Sequence, residues 1–117
     1  MKLLRSLRVV MAAILLSLNS IIHVTPLLLV ALIKAVIRVR PVQSACDRVL
    51  MAIAASWIDV NSWMFDHLTD AEIVVTGLPD AMPEGHFLLL CNHQSWVDIP
   101  VLQKLFNRRL PMLRFFL

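Results

Sequence analysis

Acidic residues are absent from the first 46 positions of this 117-residue chain, and charge of either sign is scarce throughout, at 16% of residues. Soluble domains carry about 25% charged residues. The shortfall excludes a disordered segment and an ordinary water-soluble globule. Only two glycines are present, which excludes a collagen-like repeat. Two cysteines, Cys46 and Cys91, stand far apart with no CxxC or metal-ligand spacing, and they read as reduced, buried thiols. What replaces charge is hydrocarbon. Hydrophobic residues make up 59% of the chain, and the mean hydropathy is +0.76. Lipid or a partner must cover the excess.

The basic residues Lys2, Arg5, Arg8, Lys34, Arg38 and Arg40 flank an uncharged run, Val9–Ile33, of 25 residues. That length suffices to span a bilayer at about 1.5 Å per residue. The run is too long for a signal-peptide core and no A-x-A site ends it. Basic flanks around an apolar run point to anionic lipid headgroups and away from nucleic acid. Two topologies remain open. One is a single crossing kinked at Pro26. The other is a helical hairpin bent at Asn19, Ser20, His23, Thr25 and Pro26, which puts both basic ends on one surface. Residues 1–40 are thus expected to form a membrane anchor.

Pro41 breaks the chain, and a second helix is expected over about Val42–Leu68. Cys46, Leu50, Ile53, Trp57, Val60, Met64 and Leu68 form its apolar stripe, with Asp47, Arg48, Asp59, Asn61 and Asp66 off it. Trp57 and Trp63 suit a membrane interface, so residues 41–70 read as an amphipathic interfacial helix.

Residues 71–117 read as the start of an α/β domain. Glu72–Thr76 is a short β-branched strand ended by Gly77, residues 77–86 are a loop, and Phe87–Cys91 is a buried strand. A helix is expected from about Trp96 to Asn107, and Leu110–Leu117 opens another strand. Sites in such units lie at the carboxyl ends of strands, where Asn92-His93-Gln94-Ser95-Trp96-Val97-Asp98 stands. His93 and Asp98 are spaced so that the carboxylate can fold back onto the imidazole and make it a general base. A blander role is available too. Ser95-Trp-Val-Asp98 matches a capping box, and His67 and Glu72 repeat the spacing where only solvated charge is expected. Three other arrangements are weaker. Ser95 lacks the nucleophile elbow. Cys91 inside an apolar strand would be inert. His86, Cys91, His93 and Asp98 lack metal-ligand spacing.

The run FLLLCNHQSWVDIPVLQKLF resembles the first motif of the glycerolipid acyltransferases, the lysophosphatidic acid acyltransferase family, whose hallmark is Asn-His-x-Ser-x-x-Asp after a buried strand. Asn92, His93, Ser95 and Asp98 all fit. The likeness is close over about residues 86–117 and looser before that, and the bacterial inner-membrane members are the most similar. It implies acyl transfer from acyl-CoA or acyl carrier protein to the free hydroxyl of a lysophospholipid, giving phosphatidic acid. His93 would be the base and Asp98 its orienting partner, with Asn92 and Ser95 as motif support and no metal or organic cofactor. The implied partners are membrane lipids, the lysophospholipid acceptor and the thioester donor, with the catalytic side cytoplasmic. The family's later blocks, Gly-x-x-Phe-x-x-Arg and Phe-Pro-Glu-Gly-Thr-Arg, do not occur, and Arg108, Arg109 and Arg114 match neither. The expectation is therefore an N-terminal fragment, inactive alone. The alternative is a short, non-catalytic membrane-interaction protein in which Asn92–Asp98 only caps a helix.

Overall fold

The computed structural model describes residues 2–80, 84–92 and 94–115. Three helices occur among them: α1 (Lys2–Val36), α2 (Arg40–Leu68) and α3 (Asp98–Phe106). α1 alone is about 52 Å long at 1.5 Å per residue, and it sets the 57 Å long axis of a molecule 57 × 34 × 25 Å in extent.

Of the two arrangements left open for the apolar run, the bend over Asn19–Pro26 does not form. α1 runs unbroken through it, with Pro26 inside the helix. The polar residues that suggested a bend are turned onto α2. Asn19 Nδ2 donates to Asn61 Oδ1 at 2.8 Å and lies 3.4 Å from the Trp57 carbonyl. The His23 ring meets its own helix at the Asn19 carbonyl, 2.9 Å away, and α2 at Ser56 Oγ, 3.1 Å away. Trp57 Nε1 donates to Ser20 Oγ at 3.4 Å. Helices with little water around them associate through such side-chain bonds, and a polar stripe on each helix makes a seam between the two.

A hairpin forms nonetheless, with its turn at residues 37–39. Val39 is the N-cap of α2 with extended backbone, and proline occupies the first turn, where a missing N–H costs nothing. Gln43 Nε2 reaches back to the Ile37 carbonyl at 2.7 Å and closes the turn. Lys34 pairs with Asp47 beside it, and Arg8 meets Asp70 at 3.7 Å at the far end. α1 and α2 are therefore antiparallel along their whole length.

α2 meets the expectation for residues 42–68 within two residues. Cys46 and Met64 of its apolar stripe are buried, while Val60 is exposed. α3 packs on α2 and makes no contact with α1, so α2 is the middle layer. Two clamps hold α3: Lys104 pairs with Asp66, and Asn107 and Arg108 close on Asp59.

The α/β expectation is overturned. No strand occurs among the described residues. Residues 72–76 and 87–91 are non-helical, but no backbone hydrogen bond joins them to each other or to residues 110–115. Two short apolar segments do not make a stable sheet by themselves, because a strand is stabilised by paired neighbours and a covered face. Neither is available here, and Val74, Leu88 and Leu90 stand 75%, 76% and 86% exposed. Cys91, expected in a buried strand, is exposed, whereas Cys46 is buried as expected.

The buried core is small: Cys46, Ile58, Met64 and Phe106, with Asn19 as the buried polar residue. Most large apolar side chains of α1 face outward. Residues 6–36 make one helix that is, by length and composition, apolar enough to cross a membrane.

Candidate active site

α3 opens where Ser95-Trp96-Val97-Asp98 turns the chain into a helix. The first residues of any helix leave N–H groups without intrahelical partners, and Asp98 answers two of the N–H groups just upstream. Its Oδ2 accepts from the backbone N–H of Ser95 at 2.9 Å and of Gln94 at 2.7 Å. Ser95 Oγ accepts from the Val97 N–H at 3.3 Å, and the Asp98 N–H donates to the Ser95 carbonyl at 3.0 Å. The carboxylate that reaches back three residues is one half of a capping box, but the Ser95 hydroxyl meets the N–H two residues on instead of the third, and the N-cap of α3 is Val97, which makes no side-chain cap bond. The helix expected from Trp96 starts two residues later because Trp96 and Val97 are spent in this turn.

His93 lies outside the described residues. Its neighbours on both sides are described: Asn92 and Gln94 are exposed, as is Ser95, and Asp98 is half-buried. The bond from Gln94 N–H to Asp98 ties the residue after His93 to the proposed orienting carboxylate. Asp98 therefore already serves the backbone on either side of the Gln94–Ser95 peptide.

Two cavities among the described residues lie elsewhere. A cleft of about 700 Å³ separates the end of α2 from α3, walled by Asp66, Asp70, Glu72, Lys104 and Arg109 among others. A second cavity, of about 300 Å³, has an apolar floor of Met51, Ile58 and Phe106 with Leu110 and Met112 above it. None of Asn92, Ser95 or Asp98 lines either one. Among the described residues no three His, Cys, Asp or Glu side chains converge as metal ligands.

The best-defined polar cluster outside the helix hairpin was not anticipated from the sequence. Asp59 Oδ1 accepts from Asn107 Nδ2 at 2.6 Å, and its Oδ2 accepts from Arg108 Nη2 at 2.6 Å and Nε at 3.2 Å. Both guanidinium bonds land on one oxygen, which leaves the other for the amide. The hydrogen bond first, and the negative charge second, raise the Arg108 pKa above arginine's ordinary value. Arg108 takes a left-handed backbone, φ 62°, uncommon for a side chain with a Cβ. The signal in the sequence was an Asp on the polar face of α2 and an Asn-Arg pair just past a helix end, too general to join two sites 49 residues apart.

His67 and Glu72, which repeat the motif spacing, behave as solvated surface. His67 stacks on Trp63 with centroids 4.5 Å apart and bonds the Trp63 carbonyl at 2.8 Å; Glu72 is exposed. Comparison of the whole chain with family models, with curated proteins and with solved structures yields no match.

Proposed function

We propose that this chain carries the membrane anchor and the catalytic base of a lysophospholipid O-acyltransferase, acting at the cytoplasmic face of a bacterial inner membrane. The observation that carries the proposal is the run Asn92-His93-x-Ser95-x-x-Asp98, in which Asp98 grips the chain next to His93.

In this reaction His93 takes the proton from the free hydroxyl of 1-acyl-glycerol 3-phosphate. The alkoxide oxygen attacks the carbonyl carbon of an acyl-CoA or acyl-carrier-protein thioester. The tetrahedral oxyanion collapses, the carbon–sulfur bond breaks, and the thiolate recovers the proton from His93. Phosphatidic acid is the product. Asp98 favours the imidazolium formed midway and, through Gln94 and Ser95, holds the loop in place. Acceptor and product both reside in the bilayer, and an apolar α1 with basic flanks keeps the base at that surface. The residues here contain neither of the family's later blocks, so acceptor binding is assigned to no residue of this chain.

The test is thioester-dependent acylation of lysophosphatidate in membranes carrying the longest in-frame product that contains these residues. Loss of activity in His93→Ala is expected. Near-normal turnover in that variant overturns the assignment. The two backbone bonds that Asp98 accepts favour a second reading, a non-catalytic membrane-interaction protein in which Asp98 serves only the turn into the helix; in that case no thioester-dependent product forms with any variant.

A further inference from the structure

His23 and Ser56 face each other across the α1–α2 seam, and the bonds around the ring decide which nitrogen carries the proton. The Asn19 carbonyl lies 2.9 Å from Nδ1. A carbonyl oxygen only accepts, so Nδ1 of the neutral ring is the N–H, and Nε2 keeps its lone pair. Nε2 stands 3.1 Å from Ser56 Oγ, and the hydroxyl therefore donates to it. A hydroxyl within about 2.6–3.2 Å of an imidazole whose other nitrogen is held by a third group is the arrangement that activates a serine. Ser17 and Ser62 lack it. Their hydroxyls donate to carbonyls of their own helices, Ala13 at 2.8 Å and Ile58 at 2.7 Å.

The surroundings select the reagent. His23 and Ser56 are half-buried, so they can be reached from outside. Ile22 and Val24 on either side of His23 are 65% and 46% exposed, and Val60, one turn from Ser56, is exposed too. A long hydrocarbon chain would cover these side chains. Ser56 lies inside α2, where its own N–H is committed to the helix. The backbone donor that serine hydrolases use at the nucleophile is thus spent, and an acyl group needs a good leaving group to react here. A thioester supplies one, because a thiol ionises at about pH 8.5, far below an alcohol. We infer that Ser56, with His23 as its base, takes the acyl group of a long-chain acyl thioester and keeps it as an ester. Ser56 Oγ bonds to the carbonyl carbon and its proton passes to His23 Nε2. The carbon–sulfur bond breaks, and the thiolate recovers that proton and leaves as the thiol. One acyl chain per protein is the product. The step uses no residue of Asn92–Asp98 and does not depend on acyl transfer there.

The probe is palmitoyl-CoA with a terminal alkyne, offered in mild detergent to the full chain with His93 intact and as His93→Ala. Neutral hydroxylamine then strips any thioester from Cys46 and Cys91 and leaves oxygen esters in place, and peptide mass mapping locates the chain. Ser56 should carry it in both backgrounds, and Ser17 and Ser62 should not. Labelling there should vanish in Ser56→Ala and fall by about 10²-fold or more in His23→Gln, which keeps a hydrogen-bonding side chain but no base. Imidazole added to His23→Ala should restore part of it, a rescue that a purely structural ring would not show. Helix content by circular dichroism guards against misfolded variants. Labelling that survives without His23, spreads evenly over the serines or never forms overturns the inference. Loss in both His23 variants without rescue by imidazole means a seam bond only and overturns it too. Labelling that requires His93 assigns the acyl chemistry to the motif, which also overturns it while favouring the other reading.

Discussion

Asn19 and Asn61, 42 positions apart, share a hydrogen bond of 2.8 Å between their side-chain amides at the middle of the α1–α2 hairpin. Asn19 is 6% exposed, the most deeply placed polar residue among those described. Replacing it alone leaves the Asn61 carbonyl oxygen facing an apolar helix. Asn19→Leu is expected to destabilise the hairpin by about 1–2 kcal/mol. The double replacement with Asn61→Leu should recover part of that loss, because no unpaired amide remains. A double-mutant cycle on helix loss during denaturant titration in mild detergent measures it. Additive losses would show that the two amides do not act on each other.

The Asp59 clamp makes a prediction about α3 alone. Asp59→Asn keeps an acceptor for Asn107 and removes the charge opposite Arg108. Asp59→Leu removes both. Amide exchange at Asn107, Arg109 and Leu110, whose N–H groups are bonded to Gln103 and Phe106, should quicken modestly in the first and sharply in the second. Protection in α1 should not change. Loss of protection across both α1 and α3 would mean the clamp supports the whole molecule.

The same clamp has a defined pH behaviour. Asp59 raises the Arg108 pKa above arginine's ordinary value. A raised pKa gives a contribution that is complete below the unfolded-state value and lost only as pH rises through the folded one. From neutral pH upward through the lysine range, the arginine side of the clamp therefore should not weaken. Exchange protection at Arg109 followed against pH, corrected for intrinsic exchange, checks this; a decline centred well below the arginine range contradicts it.

Asp98 can be split into its two roles. Asp98→Asn retains a carbonyl oxygen that can accept from Ser95 and Gln94, but it carries no charge for an imidazolium. Asp98→Ala loses both functions. For an orienting carboxylate, Asn should lower acyl transfer nearly as far as Ala, by about 10²-fold or more, while α3 stays folded. Should Asn restore activity close to that of the unsubstituted protein, the capping bonds alone account for the residue. The Ala variant should also loosen the turn that leads into α3, because the N–H groups of Gln94 and Ser95 lose their acceptor.

Leu88 and Leu90 supply a prediction about self-association. Both are largely exposed in an unpaired apolar segment, the kind of stretch that recruits a strand from another molecule. Leu90→Lys should slow aggregation of the detergent-solubilised chain and reduce the β component of its infrared amide band. Unaltered aggregation would place the sticky surface on α1.

The helices were legible from the residues, and the strands were misread for a physical reason. Stripe spacing from Cys46 to Leu68 and the proline at position 41 located α2, because helix periodicity and a helix-starting proline are local properties. Phe87–Cys91 has equally local strand propensity, yet a sheet is a relation between segments, and residues 72–76 and 87–91 have none with each other here. Asn19, Ser20 and His23 were read as a bend because polar groups in an apolar run must find partners. They do find partners, but on α2, which only pairing between distant positions could reveal. At the candidate site, the half of the capping box that Asp98 makes was readable because its atoms lie within five residues; the Ser95 half does not form, and Val97 takes the N-cap position.

The seam at Asn19 also imposes an order on synthesis. α1 is complete once residue 36 is made, yet the amide of Asn19 has no partner until Asn61 emerges 42 residues later. From the end of α1 at residue 36 to Asn61 is 25 residues, an interval of about 1–5 s at about 5–20 residues per second. During it a finished apolar helix must wait with a polar amide and an imidazole uncovered. The hairpin is thus assembled by its second helix arriving at a first already in place, and substitutions that slow α2 would lengthen the exposure without altering any contact in the finished protein.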